Sequence, residues 1–557
     1  MAVSDLGVIC GRLVYHFFNK FTSKPMETQR KILGVLMKKN KNTEYGKKYH
    51  FDEIHTLEEF QDKVPLTTFE DYSDYIDRMI NNGEKNLITA YKVKRYASSS
   101  GSVGKPKQLP KSSKDLMNMQ EMGFCAPMGL AWQYYHDRGE KLGKLKGPLV
   151  LVLSGSKLSN GMKSNGAAQI PLQYIKPLTP LFTCTPVEVM YPEHPEEINI
   201  VYLQLRYALP DENVTYIGSG VITLLTSMFE YLEDNWRMIV DDIEKGTIDP
   251  SVKMPEKLRK KYEKRLKPNP ERAAFLRKEF EKGFDTPICP RIWPKLKWCY
   301  GMAGSNLIIY AEKNRRWIGD IPMHNMGYGA AEGFFAMPVK MNARDYCLLP
   351  RSIIFEFIPV DAPEGTRPVF MDKIKQGEEY EMIVTNFSGL YRYRLYDVVK
   401  VTGMHNNTPM VEFSYRKNLG MNIANEKMTV RMLDWAVKEL ERDSGIEFVG
   451  HSFYGEYDSN PSHYVLLAEP KNGISDEQKK KCEDILDEKL SETNEKYLKY
   501  RKWNTLGRPV LKILKKGTYE SYNEMLVGQG KVLNQIKPVT IINNKERKDF
   551  FFSHVDK

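Results

Sequence analysis

Over roughly the first 90 residues, apolar positions recur at helical spacing between short polar breaks. This predicts helices joined by short loops. Beyond them, short apolar and β-branched runs alternate with helical patterns. Residues 148–154 (PLVLVLS) read as a buried strand, and 214–220 (VTYIGSG) as a strand ending in glycines. An amphipathic helix follows over 221–234, and strands are predicted at 352–358 and 381–386. Buried strands alternating with helices predict an α/β fold, with sheets flanked by helices.

The pattern changes near residue 416. A helix (430–442), two strands (447–457 and 463–468), and one long charged helix (476–502) are predicted. A strand (509–514), a helix (518–525) and a last strand (539–543) complete a compact α+β unit of roughly 140 residues. The predicted domains are therefore 1–416 and 423–557, joined by a hinge at 417–422.

Composition narrows the class. A chain of 557 residues with 41 % hydrophobic and 27 % charged residues is an ordinary globular sequence. No apolar run approaches the roughly 18–20 residues that span a bilayer. The apolar patch in residues 1–21 lacks a basic start and a small-residue cleavage site, so it reads as a helix rather than a signal peptide. Seven scattered cysteines without a C-x-x-C pair argue against a disulfide framework or a structural zinc, and a reducing cytoplasmic setting is expected. The net charge is +11, but acidic residues interleave with the basic ones. The richest basic run, 259–282, reads as helical surface broken at Pro268 and Pro270, a solvated face in preference to a binding patch. No nucleic-acid-binding signature is present.

The most informative segment is YASSSGSVGKPKQLP, residues 96–110. Ser99, Ser100 and Ser102 offer hydroxyls, Gly101 and Gly104 let backbone N–H groups approach an anion, and Lys105 and Lys107 supply charge. The Walker A spacing is absent. By composition alone, a flexible surface loop fits as well as a phosphate loop. The order of residues is more specific. It resembles the [ST]-S-G-[ST]-[ST]-G-x-P-K loop of the adenylate-forming superfamily, with Val103 at a hydroxyl position. Two further motifs follow in that superfamily's order. YGAAEG (328–333) resembles its Y-G-x-[TS]-E motif, with Ala331 where a hydroxyl is usual. YRYRLYD (391–397) resembles its Y-R-x-G-D motif, with Tyr396 in place of glycine.

The resemblance extends over nearly the whole chain to one family, the Gretchen Hagen acyl-acid amido synthetases. It rests on KNTEYGKKYHF (41–51), VPLTTFEDYSDYIDRM (64–79), LEDNWRMIVDDIEKG (232–246), RIWPKL (291–296), RKNLGMNIANEK (416–427) and GQGKVLNQIKP (528–538). It implies a large adenylation domain, a small mobile C-terminal domain, and two steps. A carboxylate and ATP form an acyl-AMP and pyrophosphate, and an amino-acid amine then displaces AMP to give an amide, without coenzyme A. The implied nucleotide residues are Ser99, Ser100, Gly101, Ser102, Lys107, Tyr328, Ala331, Glu332, Asp397, Arg416 and Lys427. Glu332 would hold Mg²⁺ and Asp397 the ribose hydroxyls. Lys107, Glu332 and Lys537 are the expected catalytic set, with Lys531 and Lys427 as alternatives to Lys537.

An apolar acid pocket is expected from Val221, Leu224, Leu225 and Met228, the loop with Gly304 and Ser305, and Tyr328. Such a helical stripe more often describes ordinary core than a ligand pocket. ATP, Mg²⁺, a carboxylic acid and an amine are the expected ligands of a monomer acting away from membranes and nucleic acids. Two alternatives stand beside the amido synthetase. One is an acid–thiol ligase of the same superfamily, although the P-K-T-x-S-G-K segment is missing. The other is a nucleotide-binding relative impaired at Val103, Ala331 and Tyr396.

Overall fold

The computed structural model describes residues 3–556, apart from 99–106, 151–154, 167–175, 193–196, 304–307, 364, 418–419, 422, 425, 427, 530–535, 537 and 543–544. The chain divides into two compact units. The first holds the residues up to Ser98 with Lys107–Leu395 and Val399–Phe413, and the second holds Tyr396–Val398 and the chain from Ser414 onward.

The first unit is built on sheets flanked by helices, as the alternating pattern predicts. A parallel sheet orders Leu149–Val150, Tyr216–Val221, Trp298–Met302 and Met323–Asn325 as neighbours. Side chains alternate across a strand. Ile217, Cys299 and Met323 therefore face one way, into a core with Leu225, Met228, Phe229 and Ile239 of the helix Ile222–Lys245. That helix ends at Gly246, whose φ of 76° accepts the left-handed turn. Tyr216, Trp298 and Tyr300 face the other way, against Met128, Leu130, Ala131 and Tyr135 of the helix Ala126–His136.

The N-terminal apolar patch forms the helix Val3–Thr22, which crosses Ala126–His136 at a glycine pair. A Cβ on Gly129 would stand 2.3 Å from the Gly11 carbonyl oxygen, so only paired glycines allow this approach. A second, eight-stranded sheet carries the motif strands Tyr328–Gly329, Phe334–Met337 and Tyr393–His405. A third, four-stranded sheet contains the hairpin Val93–Ser98 and Gln108–Ser112.

The second unit packs a three-stranded sheet, ordered Phe448–Glu456, His463–Pro470 and Val510–Ile513, against the helices Val430–Ser444 and Asp476–Thr493. Its core includes Leu433, Leu440, Phe453, Leu466 and Leu486.

Three expectations need correction. The long helix predicted over 476–502 is two helices, Asp476–Thr493 and Glu495–Lys502. Asn494 leaves helical geometry and its side chain caps the second helix by accepting from the Lys496 and Tyr497 N–H groups. Of the strand predicted at 539–543, the described residues 539–542 form a single bridge, between Ile541 and Phe453. The basic run 259–282 is not wholly solvated. Buried Arg272 donates to the carbonyls of Leu209 (2.9 Å) and Ile292 (2.7 Å), and Arg259 to that of Ile248 (2.7 Å). All seven cysteines are free. Among the described residues, no helix is long and apolar enough to cross a membrane.

Candidate active site

The glycine-serine stretch joins two antiparallel strands. Val93–Ser98 pairs with Gln108–Ser112, with Ser98 opposite Gln108. Ser99, Ser100, Gly101, Ser102 and Val103 lie outside the described residues, as do Lys427, Lys531, Lys537, Gly304 and Ser305. Lys107 stands at the base of this connection. Its ammonium lies 4.8 Å from the centre of the Phe69 ring and 4.0 Å from a Glu70 carboxylate oxygen, and its side chain is partly exposed.

The second motif is a tight hairpin. Tyr328–Gly329 pairs with Phe334–Met337, and Ala330 and Gly333 exchange backbone hydrogen bonds of 2.9 and 3.2 Å across the turn. Glu332 sits on this turn, half-buried. Ala331 is buried in the apolar core beside it, so the position where a hydroxyl is usual here packs as a methyl. Tyr328 is held among Phe335, Tyr346 and Phe413, with ring centres 5.3, 6.3 and 5.9 Å away. Asn325 fixes the chain just before it. Its side-chain oxygen accepts from Ala303 N–H (3.1 Å), and its side-chain amide donates to the Tyr346 hydroxyl.

A buried chain of hydrogen bonds joins these two motifs, which lie more than 200 residues apart in sequence. Ser112 N–H donates to the Ser388 hydroxyl (2.9 Å), Ser388 N–H to the Asn386 side-chain oxygen (2.9 Å), and the Asn386 amide to the Glu332 carbonyl (2.8 Å). Asp115 accepts from the Ser388 hydroxyl, and Lys111 lies fully buried beside it with no hydrogen-bond partner on its ammonium among the described residues. Burial pushes the Lys111 amine below its usual range, against the opposing pull of Asp115 and Glu332. Burial likewise pushes the Asp115 carboxyl up, opposed by Lys111.

Sequence reading missed Lys111, Asp115, Asn325, Asn386 and Ser388. One signal was available. Ser112 followed three residues later by Asp115 marks a helix start, and Ser112 does cap Ser113–Gln120 by accepting from Asp115 N–H.

The arginines of the third motif are structural anchors. Arg394 pairs with the fully buried Glu381 through two bonds of 2.8 and 2.9 Å. Arg392 grips Glu356 at 2.9–3.1 Å and donates to the Gln61 (2.8 Å) and Val64 (2.5 Å) carbonyls.

In the second unit, Asp397 is buried and its carboxylate is bonded by the Arg416 guanidinium. Tyr396 has φ 60°. This is the left-handed region that glycine tolerates best, so the chain keeps the glycine conformation with a tyrosine in place. Its carbonyl accepts from Lys417 N–H at 2.7 Å.

Of the acid-pocket residues, Val221 is half-buried at the junction of strand and helix, and Leu224 lies in the first helical turn. Leu225 and Met228 are fully buried in the core behind the parallel sheet.

Models of the GH3 family match the chain in three blocks: its N-terminal domain over residues 14–323, its central domain over 346–416 and its C-terminal domain over 431–546. Jasmonoyl–L-amino acid synthetase JAR4 of Nicotiana attenuata is 29 % identical over 93 % of this chain and 92 % of its own length. Indole-3-acetic acid-amido synthetase GH3.4 of Arabidopsis thaliana is 26 % identical over 94 % and 90 %. The solved structure of GH3.15 acyl acid amido synthetase superposes with a TM-score of 0.80 at 24 % identity, covering 97 % of this chain and 95 % of the other. A 2-hydroxyisobutyryl-CoA ligase in the postadenylation state shares the fold at a TM-score of 0.51 and 10 % identity, over 96 % and 92 %. With its N-terminal model alone spanning more than half of the residues, the chain belongs to the GH3 family.

Proposed function

We propose that this chain is an ATP-dependent acyl-acid amido synthetase. A carboxylate oxygen attacks the α-phosphorus of ATP, pyrophosphate leaves, and an acyl-AMP forms. An amino-acid amine then attacks the acyl carbonyl, the C–O bond to AMP breaks, and the amine gives up a proton as the amide forms. The observation that carries the reading is the buried chain Ser112–Ser388–Asn386–Glu332, which ties the glycine-serine hairpin to the Tyr328–Glu332 turn. A phosphate-binding loop and a metal carboxylate need such fixed spacing, because preorganised charge costs no reorganisation during reaction. The relatives' names, jasmonoyl and indole-3-acetyl synthetases, support an apolar, ring-bearing acid as the substrate here.

Lys107 is the proposed loop cation, and Asp397, oriented by Arg416, the ribose acceptor. Lys537 is the proposed C-terminal cation, with Lys531 and Lys427 as alternatives. Val221 and Leu224, with Tyr328, are the proposed near wall of the acid site, backed by Leu225 and Met228. The boundary 417–422 is the proposed hinge.

The residues fit a Mg²⁺ ion that arrives with ATP. Among the described residues, no three carboxylate, histidine or cysteine side chains cluster, and Glu332 is one half-buried carboxylate on a fixed turn. One carboxylate plus substrate phosphates is the usual magnesium arrangement. Glu332 would hold the ion, whose chemistry is charge neutralisation on the phosphates.

The test is pyrophosphate release with ATP and Mg²⁺ against aryl, indolyl and fatty acids, with and without mixed amino acids. Release that requires an acid and ends in an amide supports the reading. A thioester formed only with coenzyme A would refute it in favour of an acid–thiol ligase. ATP binding without release from any acid would favour the impaired relative.

A further inference from the structure

The turn that carries Glu332 is short, and a side chain from another part of the sheet completes its bonding. The Glu332–Gly333 peptide is held at both ends. Its N–H donates to the Ala330 carbonyl at 3.2 Å, and its carbonyl, that of Glu332, accepts from the Asn386 amide at 2.8 Å. A peptide is planar, so bonds at both ends fix its rotation and with it the ψ of Glu332. Together with the hairpin strands on either side, this sets the direction in which the Glu332 side chain leaves the turn. Asn386 thus acts on a side chain through its backbone.

The rest of its bonding suits Asn386 to this task. It is 1 % exposed and directly follows the strand Glu379–Thr385. Its side-chain oxygen accepts from Ser388 N–H (2.9 Å) and Leu390 N–H (3.1 Å), and its backbone N–H donates to the Leu390 carbonyl (2.9 Å). An asparagine that bonds the backbone two residues on closes a turn of its own. With the oxygen committed to two donors, the network assigns the amide nitrogen to the Glu332 side. The turn is pinned in its own right. The Thr89 hydroxyl donates to the Phe387 carbonyl (3.1 Å), Ser112 N–H donates to the Ser388 hydroxyl (2.9 Å), and Asp115 accepts from that hydroxyl. At Gly389, φ is 102° and a Cβ would stand 2.8 Å from the Ile88 carbonyl oxygen, so the backbone lies hard against its neighbour. A donor on so firm a base holds its acceptor in place.

We propose that Asn386 is a positioning residue for Glu332: its amide clamps the Glu332–Gly333 peptide and so fixes the direction of the carboxylate that would hold the metal of Mg·ATP. The inference rests on the ligase reading above, in which Glu332 takes that role. Loss of a group that orients a metal ligand typically weakens metal binding by roughly 10–100-fold. Asn386→Asp is the selective perturbation. The aspartate keeps an oxygen for the Ser388 and Leu390 N–H groups, and hence the 386–390 turn. It places a second oxygen against the Glu332 carbonyl where the donor stood.

The experiment is a double-mutant cycle of Asn386→Asp and Glu332→Gln in the full chain, at pH 8 to ionise the introduced carboxyl. Calorimetry of ATP binding across a Mg²⁺ series gives the half-saturating Mg²⁺, and thermal melts report folding. Each single variant is expected to raise that concentration roughly tenfold or more. The double variant should match Glu332→Gln, because a residue that acts through Glu332 then has nothing left to aim. A purely structural role would lower the melting temperature and add its shift to that of Glu332→Gln. Additive shifts, or an unchanged Mg²⁺ requirement in either single variant, overturn the inference. If Asn386→Asp does not fold, Asn386→Ser takes its place in the cycle, since it draws the polar atom back from the carbonyl and brings no charge. Pyrophosphate release against the acid panel separates the two readings. Coupled Mg²⁺ shifts without release from any acid leave the clamp standing and remove the ligase reading. Amide formation with a Mg²⁺ requirement indifferent to Asn386 does the reverse.

Discussion

Replacing Arg392 by methionine tests how the motif strand Tyr393–His405 is anchored. Arg392 is 5 % exposed and Glu356 1 %, so neither charge can turn to water. The arginine makes three close contacts with the Glu356 carboxylate and donates to two backbone carbonyls, Gln61 and Val64. Its loss leaves a buried carboxylate whose only remaining described donor is the Gln61 amide at 2.7 Å. Breaking a buried pair from one side costs about 3–5 kcal/mol, because an uncompensated charge stays behind. Removing both partners, as Arg392→Met with Glu356→Met, removes that charge and should cost about 2 kcal/mol less than Arg392→Met alone. The assay is urea unfolding of the wild type, both single variants and the double variant, following the transition of the first unit. A single-variant cost below about 1 kcal/mol, or a double variant less stable than both singles by simple addition, would refute the claim that this pair is a desolvated anchor.

Other outcomes follow from the same structure. At Tyr396 (φ 60°), Tyr396→Gly should be more stable than Tyr396→Ala by about 1 kcal/mol, because alanine keeps the left-handed strain and glycine relieves it; thermal melts of the two variants decide the order. Gly129→Ala should cost about 1–3 kcal/mol in urea unfolding, since its Cβ meets the Gly11 backbone, and Gly139→Ala, facing open space, is no control for this because its φ of 72° adds strain of its own. Asp397→Ala should weaken ATP binding by about 1.5–3 kcal/mol per bond lost, read by calorimetry; unchanged affinity in a folded variant would remove Asp397 from the ribose. His324 is held at about 3 in the fold and rises to about 6.5 when unfolded, so the unfolded chain binds the extra proton between these values. Its contribution is complete above pH 6.5 and declines as pH falls toward 3, reaching a loss of about 2 kcal/mol at pH 5; His324→Gln should flatten this part of the urea midpoint's pH dependence.

Local pattern decided much of this molecule. The strand at Tyr216–Val221 and the helix Ile222–Lys245 follow from a β-branched run ending in glycines and an amphipathic repeat, both short-range signals. The break at Asn494 was written in one capping residue, yet the charged periodicity on either side masked it. The order of the three motifs was likewise legible, because each is a contiguous string of residues. Tyr396 is the instructive case: the string departs from glycine there, and the left-handed turn persists because the surrounding strand imposes it.

What no string could reveal was which distant residues meet. Ser112, Glu332 and the turn carrying Asn386 and Ser388 lie far apart along the chain, and only tertiary packing brings their polar groups within 3 Å. The same holds for the rings of Tyr216, Trp298, Tyr300 and His324, which strands from three parts of the chain align on one face. Leu225 and Met228 carry the converse lesson. Their spacing marks an apolar stripe, but periodicity cannot say whether a stripe faces a ligand or a core, and the sheet placed these two in the core. Hydrogen-bond partners and burial are properties of contacts between elements, so the tertiary structure alone decides them.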